Sequence, residues 1–182
     1  MDDIVKAALK KWPNVPYCYE WLALDARGDW YLRDERIQHA GPFPQARGSR
    51  IEHAKLKEFI QRNYDADERG AWYFQNGPQR VYVVLEAAPL VMGVQALDGG
   101  GFRLDHHLGA EVGPVQESFV DEFGRLFLST PQGLGVVRSP DMSAAADAVE
   151  ALGWSPREIT FDELPQRFGY VLRPEPQPAK AP

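Results

Sequence analysis

The sequence DERGAWYFQNGPQRVYVVLE, residues 67–86, contains most of the information that decides the fold. It begins with an Asp-x-x-Gly turn at Asp67 and continues as two strand-like segments on either side of Gly77-Pro78. If Gly77-Pro78 is a two-residue loop, the two segments form a β-hairpin whose register is set by the loop length. The predicted cross-strand pairs are Phe74 with Val81, Trp72 with Val83, and Tyr73 with Tyr82.

The Asp-x-x-Gly signature occurs three times, beginning at Asp25, Asp67 and Asp121. Aspartate at the first position accepts hydrogen bonds from the backbone two residues on, and glycine at the fourth position tolerates a positive φ. We interpret the copies as recurrent turn chemistry, because a duplication repeats whole supersecondary units and the predicted helices do not recur in the same order. This turn role also accounts for the aspartates without acid–base catalysis.

The first copy of the turn joins two predicted strands, residues 17–25 and 29–33. A glycine bulge at the turn gives a register that places four apolar side chains on one face of the hairpin, so turn chemistry and pattern agree. The predicted pairs are Leu24 with Trp30 and Leu22 with Leu32.

Apolar residues at helical spacing predict two main helices and a minor one. Residues 2–12 form an amphipathic helix, residues 50–64 a second one with Ser49 and Glu52 as a capping box, and residues 143–152 a short Ala-rich helix. Residues 34–50, rich in Gly and Pro, are predicted to be a loop. In the second half, strands are predicted at 90–97, 101–105, 115–120, 125–130 and 133–138, with 168–172 a last strand or an extended segment.

These elements predict an α+β protein with mainly antiparallel β-sheet, arranged as hairpins and meanders. Residues 1–172 are expected to form a single compact module, in which two sheet lobes would meet near residues 86–97. Residues 173–182, RPEPQPAKAP, are Pro-rich and lack apolar anchors, so we expect them to be disordered.

The composition restricts the class of protein and its location. The chain of 182 residues carries a net charge of −6, which disfavours general binding to nucleic acid. Cys18 is the only cysteine, which is typical of a reducing compartment, and we interpret it as a packed side chain rather than a nucleophile. The charged N-terminal sequence is not a secretory signal, and the apolar runs are too short to span a bilayer. We therefore predict a cytoplasmic protein without membrane contact.

Short stretches between about Trp12 and Met142 carry a family resemblance. They are WPNVP at 12–16, WLALD at 21–25, Asn63-Tyr64, DERG at 67–70, QNGPQRVYV at 75–83 and LGVV at 134–137. Together they resemble an uncharacterised family of small bacterial proteins, a domain of unknown function. The resemblance implies one family-wide module of bacterial origin and no assigned activity, so it indicates no catalytic residues.

Asp105-His106-His107 is the candidate for enzyme chemistry, because imidazoles and a carboxylate are metal-ligand types. Adjacent strand residues point to opposite faces, so a shared ion would require His39 or His53 to converge on one of these histidines. The sequence lacks His-x-x-x-His, His-Glu-x-x-His and Cys-x-x-Cys spacings, a nucleophile elbow and a phosphate-binding loop. We interpret the pair as loop histidines and predict no cofactor. A small metal-dependent or hydrolytic enzyme using them with nearby carboxylates is the alternative.

The strand faces directed away from the predicted core carry aromatic residues and arginines. These are the residue types of binding hot spots, and aromatic rings also stack on bases. The face is either a binding surface or a second core layer covered by the helices or by the second half of the chain. Our leading hypothesis is a non-enzymatic protein that binds another protein or a small ligand through this face. The candidate binding residues are Trp21, Tyr31, Arg33, Tyr73, Arg80 and Tyr82.

Overall fold

The computed structural model describes residues 1–176, which divide into two compact units. The first unit comprises Met1–Leu24, Trp30–Leu85 and residues 171–176, and the second comprises Asp25–Asp29 and Glu86–Tyr170. Each unit contains a six-stranded sheet and helices, so the α+β class is confirmed. Within the segment predicted to be disordered, residues 177–182 lie outside the described part. The meeting of two lobes near residues 86–97 stays a prediction.

The first unit is built on strands β1 (Cys18–Leu24), β2 (Trp30–Leu32), β3 (Ser49–Arg50), β4 (Tyr64–Ala66), β5 (Trp72–Asn76) and β6 (Gln79–Leu85). Their order across the sheet is β3-β2-β1-β6-β5-β4. Both predicted hairpins are confirmed, with Leu22 opposite Leu32 in the first and Tyr73 opposite Tyr82 in the second. The two-residue loop also forms as predicted, since Asn76 pairs with Gln79.

Three helices belong to the first unit: α1 (Asp3–Lys11), α2 (Glu35–Ala40) and α3 (Ala54–Arg62). The predicted start of α3 at residue 50 is wrong, because Ser49 and Arg50 pair with β2 as strand β3. The ring of His53, not Ser49, caps α3, and its Nδ1 accepts a hydrogen bond from the Leu56 N–H at 3.3 Å. The predicted loop at 34–50 contains α2, whose first turn is capped by Asp34.

The second unit contains strands β7 (Leu90–Ala96), β8 (Phe102–His106), β9 (Glu117–Val120), β10 (Leu126–Thr130), β11 (Gly133–Val137) and β12 (Arg157–Glu158). They lie in the order β12-β9-β10-β11-β7-β8. Helix α4 (Met142–Ala151) confirms the predicted Ala-rich helix, and it follows a 3₁₀ turn at Ser139–Asp141. A further helix, α5 (Glu163–Phe168), has no counterpart in the sequence prediction.

Both sheets are mixed, although most neighbouring strands in the described residues are antiparallel as predicted. Strands β1 and β6 are parallel, as are β7 and β11, and β9 and β12. The expectation of an antiparallel sheet followed from the hairpins, because tight turns join only antiparallel neighbours. Separate hairpins can join edge to edge in either direction, and turn chemistry does not specify which.

The three Asp-x-x-Gly turns have one geometry. In each, Oδ1 of the aspartate accepts the backbone N–H groups two and four residues on, at 2.8–3.0 Å. In each, the glycine has a φ between +74° and +88° and donates its N–H to the aspartate carbonyl. The predicted structural role of Asp25, Asp67 and Asp121 is therefore confirmed.

The two units repeat one arrangement of five strands. In the first unit, two hairpins link β4, β5 and β6, and β6 runs parallel to β1 of the earlier hairpin β1-β2. In the second unit, two hairpins link β9, β10 and β11, and β11 runs parallel to β7 of the earlier hairpin β7-β8. The Asp67 and Asp121 turns occupy the same position, and both following strands end in a two-residue loop. The strand order and one of the turns therefore recur between the two units, whereas the helices do not recur in the same order, as the sequence indicated.

Candidate functional site

Strand β1 of the first unit carries a bulge that the second unit lacks. Opposite the parallel partner β6, Cys18 pairs with Val81 and Leu22 with Val83, so three residues of β1 face one of β6. In the second unit the corresponding pairs, Leu90 with Gly135 and Met92 with Val137, enclose one residue on each strand. The extra residues lie within Tyr19-Glu20-Trp21. β-Bulges re-aim side chains and are enriched near functional sites.

Glu20, at the centre of this bulge, is held in a strained conformation by arginines. Its φ of +66° is the one positive value of a non-glycine residue in the described chain. A non-glycine residue in the left-handed region costs about 1–3 kcal/mol and persists where its surroundings hold it. The Glu20 carboxylate accepts from Arg33 at 2.6 Å and lies 3.2 Å from Arg173, so ion pairs fix it from two directions.

The predicted aromatic–arginine face does not form one exposed surface. Tyr31, Tyr73 and Tyr82 are 9%, 4% and 2% exposed, Arg33 is fully buried, and Trp21 is 41% exposed. Segments of the same unit cover the face. Phe43 packs on Tyr31. Tyr19 and Val171 pack on Tyr73 and Tyr82. The second of our two interpretations, a covered core layer, describes most of this face.

Arg33 has a structural role in that layer. Its Nε donates to the Ala46 carbonyl at 3.1 Å and its NH2 group to the Gly41 carbonyl at 2.7 Å. The guanidinium therefore fixes the segment after α2 that carries Phe43 over Tyr31. Tyr31 and Arg33 accordingly leave the set of surface candidates.

Three of the four remaining candidates, Tyr73, Arg80 and Tyr82, belong to a cluster that reaches the surface. With Tyr17 and Tyr19 they are here called the tyrosine–arginine cluster. The Tyr19 ring stacks on Tyr82 at 4.8 Å between centroids, with an interplanar angle of 7°. Tyr17 meets Tyr82 edge-on at 5.8 Å and is 50% exposed. The Arg80 guanidinium lies over Tyr73, 4.3 Å from the ring centroid, and 5.7 Å from that of Tyr17. Exposed and buried aromatic rings thus enclose one arginine.

The Asp67 turn fixes the position of Tyr82 within the cluster. The Tyr82 hydroxyl donates to Oδ2 of Asp67 at 3.0 Å, and Arg69 donates to the same oxygen at 2.9 Å. Burial opposes the charged form of Asp67, but hydrogen bonds from Arg69, from the backbone and from Tyr82 outweigh it and lower its pKa. Burial also raises the pKa of Tyr73 and of Tyr19, so these phenols stay neutral at physiological pH. The cluster therefore presents neutral rings and a cationic arginine.

The repeat shows which residues of the cluster are special to the first unit. When the two units are aligned in sequence at the Asp67 and Asp121 turns, Tyr73 corresponds to Phe127, Arg80 to Leu134 and Tyr82 to Val136. Phe127, Leu134 and Val136 are buried apolar residues. The same arrangement of strands thus carries buried apolar side chains in the second unit and the tyrosine–arginine cluster in the first.

Asp105, His106 and His107 lie in the second unit and do not form a metal-ligand set. No group of three His, Cys, Asp or Glu residues within 1–176 is arranged to hold a metal ion. Nδ1 of His106 accepts from the Leu108 N–H and Nδ1 of His107 from the Val91 N–H, at 3.2 and 3.1 Å. Burial lowers the pKa of His106 and, more strongly, that of His107, to about 3. In a neutral ring whose Nδ1 accepts, Nε2 carries the proton, which leaves neither ring a lone pair for a metal.

Sequence reasoning missed Tyr17, Tyr19 and Glu20 as members of the site. A strictly alternating strand places Tyr19 and Trp21 on one face, and no residue type in Tyr19-Glu20-Trp21 signals a bulge, since glycine is absent. Arg69 could have been found, because arginine two residues after the turn aspartate is near enough for an ion pair.

The fold and the site define an α+β protein of two related units, one of which carries a tyrosine–arginine cluster. Residues 1–175 match the family model DUF2944, described as a protein of unknown function (DUF2946), and the chain belongs to this family. The predicted membership in an uncharacterised family is confirmed. A comparison with curated proteins found no match.

A solved structure with a similar fold is a DUF1285 family protein from Silicibacter pomeroyi DSS-3. The TM-score is 0.51 at 13% sequence identity, and the alignment covers 81% of this chain and 84% of that chain. This likeness concerns the fold alone. No helix of residues 1–176 combines the length and apolar character needed to cross a bilayer.

Proposed function

We propose that this chain is a non-enzymatic binding protein whose contact surface lies on the first unit, at Tyr17, Trp21 and Arg80. The observation that carries the proposal is the bulge in β1, which the same scaffold lacks in the second unit. It holds Glu20 at a positive φ and leaves Trp21 41% exposed beside it. Strain that persists next to an exposed aromatic side chain favours a functional role.

The composition of this surface supports binding of a partner rather than a catalytic role. Tyr17 and Trp21 are 50% and 41% exposed, and Arg80 lies beside Tyr17. Tryptophan, tyrosine and arginine dominate the residues that contribute most to protein interfaces. The proposal keeps Trp21, Tyr73, Arg80 and Tyr82 from the predicted set, with Tyr73 and Tyr82 as buried supports. Cytoplasmic location stays a prediction from the single cysteine, the charged N-terminal sequence and the short apolar runs.

Affinity capture with matched variants tests the proposal. The wild-type chain, Trp21→Ala, Tyr17→Ala and Phe123→Ala are immobilised and exposed to bacterial lysate at low salt. Phe123 is 68% exposed and lies in the second unit, which makes it the control for loss of an exposed aromatic ring. We expect at least one component to be retained by wild type and Phe123→Ala and lost with both first-unit variants.

The captured component is then purified, and its binding to each variant is measured by titration calorimetry. A hot-spot aromatic residue changes the dissociation constant by about tenfold or more when truncated to alanine. Equal retention of every component by all four proteins would remove the basis of the proposal.

A further inference from the structure

Arg80 differs from the other sheltered arginines of the chain. Within residues 1–176 the arginines that are buried or half-buried are Arg33, Arg69, Arg80, Arg125 and Arg138. Four of them pair with a carboxylate of the same unit, at 2.6–2.9 Å. In the described part of the chain, no carboxylate lies within ion-pair distance of Arg80.

Arg80 hydrogen-bonds Tyr82 and stacks on an aromatic ring, and these contacts leave most of its five donors available. A guanidinium that stacks on an aromatic ring uses its flat face, whereas its N–H groups point outward in its own plane. The ring of Tyr73, 4.3 Å away, supports the cation on that face. The edge of the guanidinium can donate two parallel hydrogen bonds to a carboxylate or phosphate. Arg80 therefore has the geometry of an oxyanion receptor.

Hydrogen bonding on the neighbouring strand is also incomplete. Gln75 pairs with Arg80 across the β5-β6 hairpin and is fully buried. Its amide nitrogen donates to the Gly77 carbonyl at 3.0 Å, while its Oε1 has no hydrogen-bond partner among the described residues. Buried acceptors are nearly always satisfied, so this end of the hairpin lacks a hydrogen-bond donor, which an oxyanion does not supply and a peptide N–H group does.

We propose that Arg80 binds an oxyanion presented by an acidic segment of a partner protein. The inference rests on the proposed binding function and names the chemistry of its partner. Tyr17, whose ring centroid lies 5.7 Å from the Arg80 guanidinium, is exposed enough to pack on the non-polar parts of such a segment. The net charge of −6 gives no long-range attraction for an acidic partner, so recognition acts at contact distance, through the guanidinium edge.

The second unit supplies the matched variant. Leu134 occupies the position of Arg80 and is buried without disturbing the same hairpin. Arg80→Leu therefore removes the charge with a residue that this scaffold accepts. Equal thermal midpoints of Arg80→Leu and wild type establish that the variant is folded. Arg80→Lys keeps the charge but loses the two-donor edge, which separates oxyanion geometry from charge alone.

The test uses the full chain and three probes: a peptide alternating Glu with Ala, the same peptide with Gln for Glu, and inorganic phosphate. Binding is followed by the NMR signal of the Arg80 Nε–H group and by fluorescence anisotropy of labelled peptide. We expect the Glu peptide to shift the Arg80 signal and to bind about tenfold more tightly than the Gln peptide at low salt. Arg80→Leu should bind both peptides equally, Arg80→Lys should fall between, and Phe123→Ala should match wild type.

Equal affinity of the Glu and Gln peptides for wild type, or an unchanged preference in Arg80→Leu, would overturn the proposal. Phosphate that shifts the Arg80 signal and displaces the Glu peptide would overturn the assignment to a protein segment, in favour of a small phosphorylated ligand. The two proposals fail separately: a captured partner lost with Trp21→Ala and retained by Arg80→Leu leaves the binding function standing and refutes the oxyanion contact.

Discussion

Replacing Arg33 by methionine should destabilise the first unit severely, although the residue contacts no proposed ligand. The side chain is fully buried and donates to Oε2 of Glu20 at 2.6 Å and to the carbonyls of Gly41 and Ala46 at 2.7 and 3.1 Å. Methionine fills similar volume and donates no hydrogen bond. The carbonyls of Gly41 and Ala46 therefore lose this donor, and the Glu20 carboxylate loses one of its two arginines.

The magnitude follows from the acceptors left behind. A buried acceptor without a donor costs about 1–3 kcal/mol, and removal of one partner of a buried ion pair costs about 3–5 kcal/mol. Glu20 is 30% exposed and keeps Arg173, which reduces its share of the penalty. We expect a loss of about 3 kcal/mol in the free energy of unfolding.

Urea denaturation, followed by tryptophan fluorescence, measures the loss. Trp12, Trp21, Trp30 and Trp72 lie in the first unit and Trp154 in the second, so the signal reports mainly on the affected unit. Hydrogen exchange of residues 41–46 should accelerate, since Arg33 holds two of their carbonyls. Arg36→Met, at an exposed arginine, is the control and should stay within about 0.5 kcal/mol of wild type. A loss below about 1 kcal/mol for Arg33→Met, with unchanged exchange at 41–46, would refute the structural role of Arg33.

Three further predictions concern the turn, the cluster and the histidines. Tyr82→Phe should cost about 1 kcal/mol in unfolding free energy, because its hydroxyl donates to Asp67, whereas Tyr73→Phe should cost less; chemical denaturation of both variants decides. The pKa of Asp67 is lower in the folded state than its unfolded value near 3.8, so its ionised form stabilises the fold above that pH, and this stabilisation is lost as pH falls through the folded pKa. Denaturation measured between pH 2 and 6 should therefore show a smaller acid-induced loss of unfolding free energy in Asp67→Asn than in wild type. The pKa of His107 is about 3, so its imidazole NMR signal should be constant from pH 8 to 5. Because the unfolded chain takes up the proton more readily, the free energy of unfolding should decrease as pH falls from 6.5 to about 3. A titration midpoint near 6.5 in the imidazole signal would contradict the buried neutral ring.

Local chemistry was sufficient to predict the hairpins. Asp67 and Gly70 define a turn and Gly77-Pro78 defines a two-residue loop, so the register of Tyr73 and Tyr82 follows from residues close in sequence. The α+β class followed from the same elements. The direction of β1 against β6 could not be predicted, because it depends on how two separately closed hairpins join.

Candidate site residues were harder to predict because exposure is a tertiary property. Alternation correctly placed Tyr31, Tyr73 and Tyr82 on one face, but covering segments such as the one carrying Phe43 come from elsewhere in the chain. Arg33 was selected as a surface cation and proved to be the donor that holds that segment. Of the predicted set, Trp21 is exposed and Arg80 is half-buried, so the proposed contact surface retains these two.

The contacts of Val171 and Leu172 affect the order in which the protein can mature on the ribosome. The Val171 N–H donates to the Gly70 carbonyl, and the Leu172 carbonyl accepts from the Leu85 N–H, at 3.0 and 2.8 Å. The first unit therefore emerges from the exit tunnel first and is completed last, after almost all of the second unit has been synthesised. A nascent chain stopped after residue 170 should leave Tyr73 and Tyr82 without the cover of Val171, and a chaperone that binds exposed aromatic residues would find its target there.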